Sequence, residues 1–151
     1  MFELVPATKE DFNLLYNYEL QIIYPFTKEN DDLDLIKSNI KETIQNNIRE
    51  YWLIKITDII VGMYSVAYHN GGIIITGIYV EKDYRNNGIT TSLLKKEIDI
   101  ANKNKTYIDL WVFKGNKQAI SLYEKLGFTS SYNVIRNKII MTYDGTKINK
   151  K

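Results

Sequence analysis

The stretch Ile78-Tyr-Val-Glu-Lys-Asp-Tyr-Arg-Asn-Asn-Gly-Ile-Thr-Thr-Ser-Leu-Leu94 holds the residue types and spacing best suited to chemistry. It reads as a strand ending at Val80, then a polar loop, then a glycine where a helix begins. At a helix N-terminus several amide N–H groups are unpaired and face outward with the positive end of the helix dipole. A glycine there lets the backbone approach a phosphate closely. Asn86, Asn87, Gly88, Ile89 and Thr90 can therefore cradle an anion, with Arg85 adding charge; an ordinary glycine cap is the competing reading. Four other places carry reactive groups. Asn116 sits where a helix N-cap belongs. Tyr123 shares a helical face with Ala119, Ile120 and Leu126, as an amphipathic core residue would. His69 lies in a turn-like Tyr-His-Asn-Gly-Gly context and reads as a solvated turn histidine, with a base near a substrate as the alternative. The acidic run Asp31, Asp32, Asp34 reads as helix-capping charge rather than as an amine-binding site.

Much chemistry is excluded by composition. The 151 residues include no cysteine and one histidine, which removes disulfides, thiolate-bound zinc, iron–sulfur clusters, a cysteine nucleophile and a histidine-rich metal site. No metal is expected. At 44% hydrophobic and 25% charged residues, the chain has the composition of one ordinary globular domain. The longest apolar run, Gly72 to Ile78, is far short of the roughly 18–20 residues that span a bilayer. Met1-Phe2-Glu3-Leu4 is acidic and promptly polar, unlike a secretory leader. The expectation is a cytoplasmic protein, monomer or homodimer, bound to neither membrane nor nucleic acid. The net charge of +2 hides an asymmetry: residues 1–75 hold 6 Lys+Arg against 11 Asp+Glu, and residues 76–151 hold 14 against 7. Either these are two solvated faces, or one half meets an anionic ligand while the other faces something cationic.

The elements that must position these groups follow from periodicity. Phe2–Val5 is a first strand, and Thr8-Lys-Glu-Asp11 opens a helix running to about Ile23, stopped by Pro25. A second helix starts in the acid cluster, with Leu33, Ile36, Ile40, Ile44 and Ile48 as its apolar stripe. Tyr51–Ile56, Ile59–Ala67 and Ile73–Val80 read as a meander of three strands, turning at Thr57-Asp58 and at His69-Asn-Gly-Gly72. Trp52 and Trp111 fall in strand patterns and are expected in the core. A helix from Ile89 to about Lys103 follows, then a strand at Tyr107–Phe113 and a short helix at Gln118–Leu126 closed by Gly127. Two strands near Phe128–Val134 and Lys138–Tyr143 finish the fold. The order implies an α/β (α+β) protein with a mixed, mainly antiparallel central sheet of about seven strands and four helices.

Two segments carry a family resemblance. Arg85-Asn-Asn-Gly88-Ile-Thr90 is similar to the Arg/Gln-x-x-Gly-x-Gly/Ala acetyl-CoA motif of the GCN5-related N-acetyltransferases (GNAT), with threonine at the last small position. Asn116-Lys-Gln-Ala119-Ile-Ser-Leu-Tyr123-Glu-Lys-Leu-Gly127-Phe128 resembles the family's Asn-x-x-Ala-x-x-x-Tyr-x-x-x-Gly-Phe. The resemblance implies a single acetyltransferase-like domain over 1–151: a first strand and acceptor-side helices at 1–49, a cofactor-binding core at 50–143 and a polar tail at 144–151. It also implies that the strand matching Ile73–Val80 splays from the one matching Tyr107–Phe113 to admit the pantetheine arm. Backbone groups of Ile78, Tyr79 and Val80 would hold that arm. Amides from Asn86 to Thr91, including Asn87, Gly88, Ile89 and Thr90, would hold the pyrophosphate beside Arg85. Asn116 would bond the cofactor, and Tyr123 would protonate the departing thiolate. Many members also carry a glutamate on the strand before the cofactor loop as general base; Ile73-Ile-Ile-Thr-Gly77 has no carboxylate, so the base is unassigned.

The expected activity is acetyl-CoA-dependent N-acetylation of a primary amine, on a small molecule or peptide, by direct attack in a ternary complex. Strand N–H groups near Ile78–Val80 would stabilise the oxyanion. A non-catalytic acyl-CoA-binding or regulatory module of the same fold is the alternative, which the missing strand carboxylate favours and Tyr123 opposes.

Overall fold

Elements in this chain begin and end where local chemistry dictates. In the computed structural model, which describes residues 1–135 and 137–147, the first strand β1 is Glu3–Pro6. Thr8 then accepts from the Glu10 amide while Asp11 reaches back to the Thr8 amide at 2.8 Å, a capping box that opens a short 3₁₀ turn. Helix α1, Phe12–Ile23, continues from it. Pro25 sits in the next 3₁₀ turn, Tyr24–Phe26, where its lost N–H does least harm. Helix α2, Leu33–Asn46, is capped by Asp32, whose carboxylate accepts from the Leu35 amide at 3.1 Å. Asp31 accepts from the Lys28 amide at 2.7 Å, so both acids serve the turn and the helix start.

Strands β2 (Tyr51–Ile56), β3 (Ile59–His69) and β4 (Gly72–Val80) follow. Asn70 and Gly71 both have positive φ, at 51° and 82°, as a two-residue hairpin turn requires. Then come helix α3 (Ile89–Asn104), strand β5 (Tyr107–Phe113), helix α4 (Lys117–Lys125), and strands β6 (Thr129–Ile135) and β7 (Lys138–Asp144). The strands form one mixed sheet in the order β1-β2-β3-β4-β5-β7-β6. β4 and β5 pair in parallel through Ile73–Ile75 and Ile108–Leu110, whereas β1–β2, β2–β3, β5–β7 and β6–β7 are antiparallel. This is the fold class expected from the sequence. Of the tail placed at 144–151, residues 148–151 lie outside the described residues.

Two compact units emerge: Met1–Ser65 with Gly77–Asn87, and Val66–Thr76 with the described residues from Gly88 onward. The first buries Leu15, Tyr18, Leu20, Ile40, Ile44, Tyr51, Leu53 and Met63 as one cluster. In the second, β5 alternates strictly: Ile108, Leu110 and Val112 are buried, while Tyr107, Asp109 and Trp111 face out. Trp111 is therefore not a core residue: it is 42% exposed, because strand parity puts it on the outer face. Leu33, the first residue of the apolar stripe of α2, is likewise 41% exposed because it lies on the first turn.

One glycine decides how closely two strands of the first unit approach. β3 carries an extra residue at Val61, since Ile54 pairs with Gly62 while Lys55 pairs with Ile60. A Cβ on Gly62 would collide with the Tyr79 carbonyl and lie 3.1 Å from Val80 Cα, both backbone groups that cannot turn aside. Gly62→Ala should therefore cost about 2–3 kcal/mol, within the range for overpacking. That corresponds to a Tm lower by roughly 4–12 °C for a chain of this size. Thermal melts of the two proteins check it, and equal Tm values would show that β3 and β4 separate without penalty.

Candidate functional site

The loop after β4 is braced by its own residues. The Glu81 amide donates to the Val61 carbonyl at 2.8 Å, which extends the pairing one residue past the strand. A 3₁₀ turn at Lys82–Tyr84 follows, closed by the Tyr84 amide on Glu81 O at 2.9 Å. Arg85 folds back: its Nε–H donates to the Val80 carbonyl at 2.7 Å, and its guanidinium lies 5.3 Å from the Tyr79 ring centroid. Arg85 thus spends one donor on holding the end of β4. The Val80 carbonyl keeps a second lone pair, and the guanidinium keeps its terminal N–H groups. Tyr79 also packs on Tyr18, centroids 5.1 Å apart, and the Tyr18 hydroxyl donates to Glu81 at 2.5 Å. Burial and the Glu81 carboxylate both push that phenol well above its ordinary range.

The chain next takes two left-handed residues within three. Asn86 has φ 64° and Gly88 φ 81°. Asparagine tolerates that region, and glycine occupies it at no steric cost. Gly88 is the N-cap of α3 and offers no side chain to the helix start. The first amide engaged within the helix is that of Ser92, on Gly88 O at 2.9 Å. The amides of Ile89, Thr90 and Thr91 therefore have no helical partner. Gly88 is exposed, with open space where a Cβ would stand.

In the second unit a shallow groove of about 750 Å³ runs from this helix start along α3, lined by Gly88, Thr91, Ser92, Lys95, Lys96, Asp99 and Ile100. The positive helix end at Gly88 and Thr91, with Lys95 and Lys96 outnumbering Asp99 along the same groove, fits a polyanionic phosphate group. Lys95 and Lys96 were not singled out by the motif. Their signal was the helical step from Gly88 through Thr91 and Ser92 to the next turn.

Asn116 and Tyr123 belong to the same unit, by way of α4. Asn116 is its N-cap, its side-chain oxygen accepting from the Ala119 amide at 3.2 Å. Tyr123 is half-buried against Phe128, with centroids 5.9 Å apart, and Phe128 packs on Tyr143 at 5.8 Å. Gly127, with φ 102°, ends the helix, and a Cβ there would press on Tyr143 at 3.2 Å. The Gly-Phe pair thus turns the chain and plugs a fully buried ring beneath Tyr123. Among the described residues its hydroxyl makes no hydrogen bond, and burial pushes its pKa up to about 12. At neutral pH it is a protonated, unengaged donor.

His69 is exposed at the end of β3, as a turn histidine. Among the described residues no cluster of three or more His, Asp or Glu could hold a metal ion, and no helix is long and apolar enough to cross a membrane. The sequence-derived site residues divide by unit: Ile78, Tyr79, Val80, Arg85, Asn86 and Asn87 in the first, Gly88, Ile89, Thr90, Thr91, Asn116 and Tyr123 in the second.

The model of the acetyltransferase (GNAT) family matches residues 12–128. A 52-residue stretch is 44% identical to an uncharacterized N-acetyltransferase of Methanocaldococcus jannaschii, covering 34% of this chain and 23% of that relative, so the match spans about a quarter of the relative's length. Among solved structures, the PaiA N-acetyltransferase of Thermoplasma acidophilum in complex with coenzyme A superposes with a TM-score of 0.72 at 18% identity, over 95% of this chain and 99% of that one. The ribosomal-protein-S18-alanine N-acetyltransferase of Escherichia coli gives 0.68 at 21% identity, over 99% and 97%. The Vibrio cholerae spermidine N-acetyltransferase, in complex with coenzyme A and spermine, gives 0.64 at 17%, over 97% and 96%. At such identities the likeness establishes the fold.

The helix start makes a direct prediction. Valine at position 88 adds bulk where a phosphate must approach and strains a left-handed residue. Gly88→Val should weaken coenzyme A binding at least tenfold, or about 1.4 kcal/mol. Titration calorimetry, on a variant whose circular dichroism matches the parent, decides it. Equal affinity would place the pyrophosphate elsewhere.

Proposed function

Because the chain belongs to the GNAT acetyltransferase family, we propose that it transfers an acetyl group from acetyl-CoA to the primary amine of a small molecule or peptide. The observation that carries this reading is the start of α3 on Gly88, without a side-chain cap and in register with the family's cofactor motif, at the end of a lysine-lined groove. Bound acetyl-CoA supplies an acetyl thioester that an amine attacks directly, so the absence of cysteine is no obstacle. Ile89, Thr90 and Thr91 amides, with Lys95 and Lys96, hold the phosphates. Thr90, where the motif has glycine or alanine, adds a hydroxyl on the same turn. Backbone groups of Ile78–Val80 align the pantetheine like an added strand, and Asn116 adds a polar contact while capping α4.

Tyr123 offers its O–H to the leaving sulfur. A phenol near 12 gives its proton uphill to a thiolate whose own pKa resembles the ~8.5 of cysteine. Its effect is therefore greatest as a hydrogen bond that strengthens while negative charge collects on sulfur, at about 1.5–3 kcal/mol for a charged acceptor. Tyr123→Phe keeps the ring packing and should lower kcat by roughly 10²-fold, at the low end of general-acid effects, with coenzyme A affinity unchanged. Because burial raises the phenol's pKa, its donor form persists through neutral pH and is lost only as pH rises toward about 12. The parent's kcat should therefore show no alkaline fall due to Tyr123 below about pH 11. An equal first turnover in both proteins, measured by rapid thiol release, would return Tyr123 to packing alone.

Charge favours a cationic acceptor. The first unit holds 8 Lys+Arg against 13 Asp+Glu, and the described residues of the second hold 9 against 5. The basic unit carries the phosphate groove, which leaves the acidic one to the amine. Spermidine, the substrate in the name of one structural neighbour, is the first amine to test, followed by aminoglycosides, amino acids and peptide N-termini. Polycationic amines should show the higher kcat/KM at low salt, with the advantage fading as ions screen beyond about 8 Å. A preference for anionic amines at low salt would reverse the assignment.

A further inference from the structure

Gly77 lies on β4 three residues before Val80, in the stretch where many family members carry a glutamate and Ile73–Gly77 of this chain has no carboxylate. The space its missing side chain leaves is not filled by apolar groups alone. A Cβ built there would stand 3.2 Å from Met63 Cε, 3.4 Å from Ser65 Oγ and 3.9 Å from Glu19 Oε2. Glu19 comes from α1, and the same oxygen accepts the Tyr51 hydroxyl at 2.7 Å. Tyr51 is only 3% exposed, so the donor is rigid and aims the carboxylate at β4. Burial first, then Glu19 itself, push the Tyr51 phenol far above its ordinary range, so it stays a donor at any pH of interest. A carboxylate facing Gly77 is about 10 Å along the strand from Val80, at 3.3 Å per residue, and nearer to Ile78.

Resting on the acetyltransferase reading above, we propose that Glu19 is the general base, supplied by α1 in place of the absent strand carboxylate. The step is a proton transfer. One N–H bond of the acceptor ammonium breaks, the electron pair stays on nitrogen as the attacking lone pair, and the proton passes through a water to a Glu19 oxygen. Glu19 then returns the proton to solvent. The transfer is uphill from an ammonium of pKa roughly 10 to a carboxylate of roughly 4.3 in water, and rapid loss of the proton to solvent draws it forward. The groups recorded around it are Tyr51, with Glu50 as a further like charge on that phenol, and Ser65 from β3. From α2, Lys41 lies over the Tyr16 ring of α1, and Tyr18 on α1 holds Glu81.

Without a base the protein depends on the neutral amine, about one part in a thousand at pH 7. Glu19→Gln keeps an acceptor for Tyr51 and should lower kcat by about 10²-fold at pH 7, with the loss shrinking to within threefold near pH 10. Calorimetry of spermidine binding to the coenzyme A-loaded protein should give affinities within threefold of the parent. Adding Gly77→Asp to Glu19→Gln puts a carboxylate into the same space from the strand side, and should restore at least tenfold of the lost rate. The proposal is overturned by equal kcat at all pH, by a loss that does not recover with pH, or by weakened spermidine binding at unchanged kcat, which would make Glu19 an anchor for the amine. It is also overturned if Glu81→Gln, not Glu19→Gln, shows the pH-dependent loss. Absence of thiol release from parent and variant alike, with every amine of the panel, would instead sink the acetyltransferase reading and the base with it.

Discussion

A helix that begins without a side-chain cap is the constraint on which the rest depends. α2 and α4 close their first turns with Asp32 and Asn116, each accepting an amide of its own helix. α3, which at 16 residues is longer than either, starts on a glycine that can accept nothing through a side chain. A side-chain cap would add only about a few tenths of a kcal/mol over glycine, a small gain for the chain to forgo. What remains is a set of amides open to an anion and a backbone turn that only glycine makes without strain. Within the first unit, Arg85 on Val80 O, the Glu81 amide on Val61 O and the tilted packing of Tyr79 on Tyr18 brace the end of the strand.

The motifs were legible in the sequence because each residue in them answers a local backbone demand. Gly88 and Gly127 both have φ values that disfavour a side chain, Asn116 caps, and Phe128 fills a buried position. Such demands leave a trace in spacing. Pairings across long separations leave none. Glu19 meets Tyr51 and Gly77 from 32 and 58 residues away, and Glu97, buried on α3, accepts the hydroxyl of Tyr68 from β3. In a helical wheel Glu97 is a polar residue beside the Leu93, Leu94 and Ala101 stripe, and nothing local shows that it is 1% exposed. Trp111 failed for the opposite reason: its type is apolar, yet strand parity outranks residue type.

The sign of the charge asymmetry survives the change from halves of the sequence, at −5 and +7, to units of the structure, at −5 for the first and +4 for the described residues of the second. That is informative, because the unit boundary is not the midpoint: β4 contributes to both units. Residues 66–76 contain no Lys, Arg, Asp or Glu, and residues 77–87 contain two of each sign, so exchanging them moves no net charge. The imbalance therefore resides in the flanking segments, in the acid-rich helical region before β2 and in the lysines of α3 and beyond.

Placing the carboxylate on α1 rather than on β4 has a structural return. Ile73 and Ile75 are buried at 3% and 4% exposure, and a charged side chain among such neighbours would need its own desolvated partner. The helix solves this by presenting Glu19 to a tyrosine hydroxyl, and the pattern repeats with Tyr18 on Glu81 and Tyr68 on Glu97. In each pair a phenol O–H satisfies an acid, and in two of them, Tyr18 and Tyr51, the ring is buried as well, while Tyr68 stays largely exposed. The Tyr51–Glu19 pair adjoins Gly77, a strand position left without a side chain. A Cβ there would already meet Met63 Cε at 3.2 Å and Ser65 Oγ at 3.4 Å, so glycine at 77 is what leaves Glu19 Oε2 close against the strand.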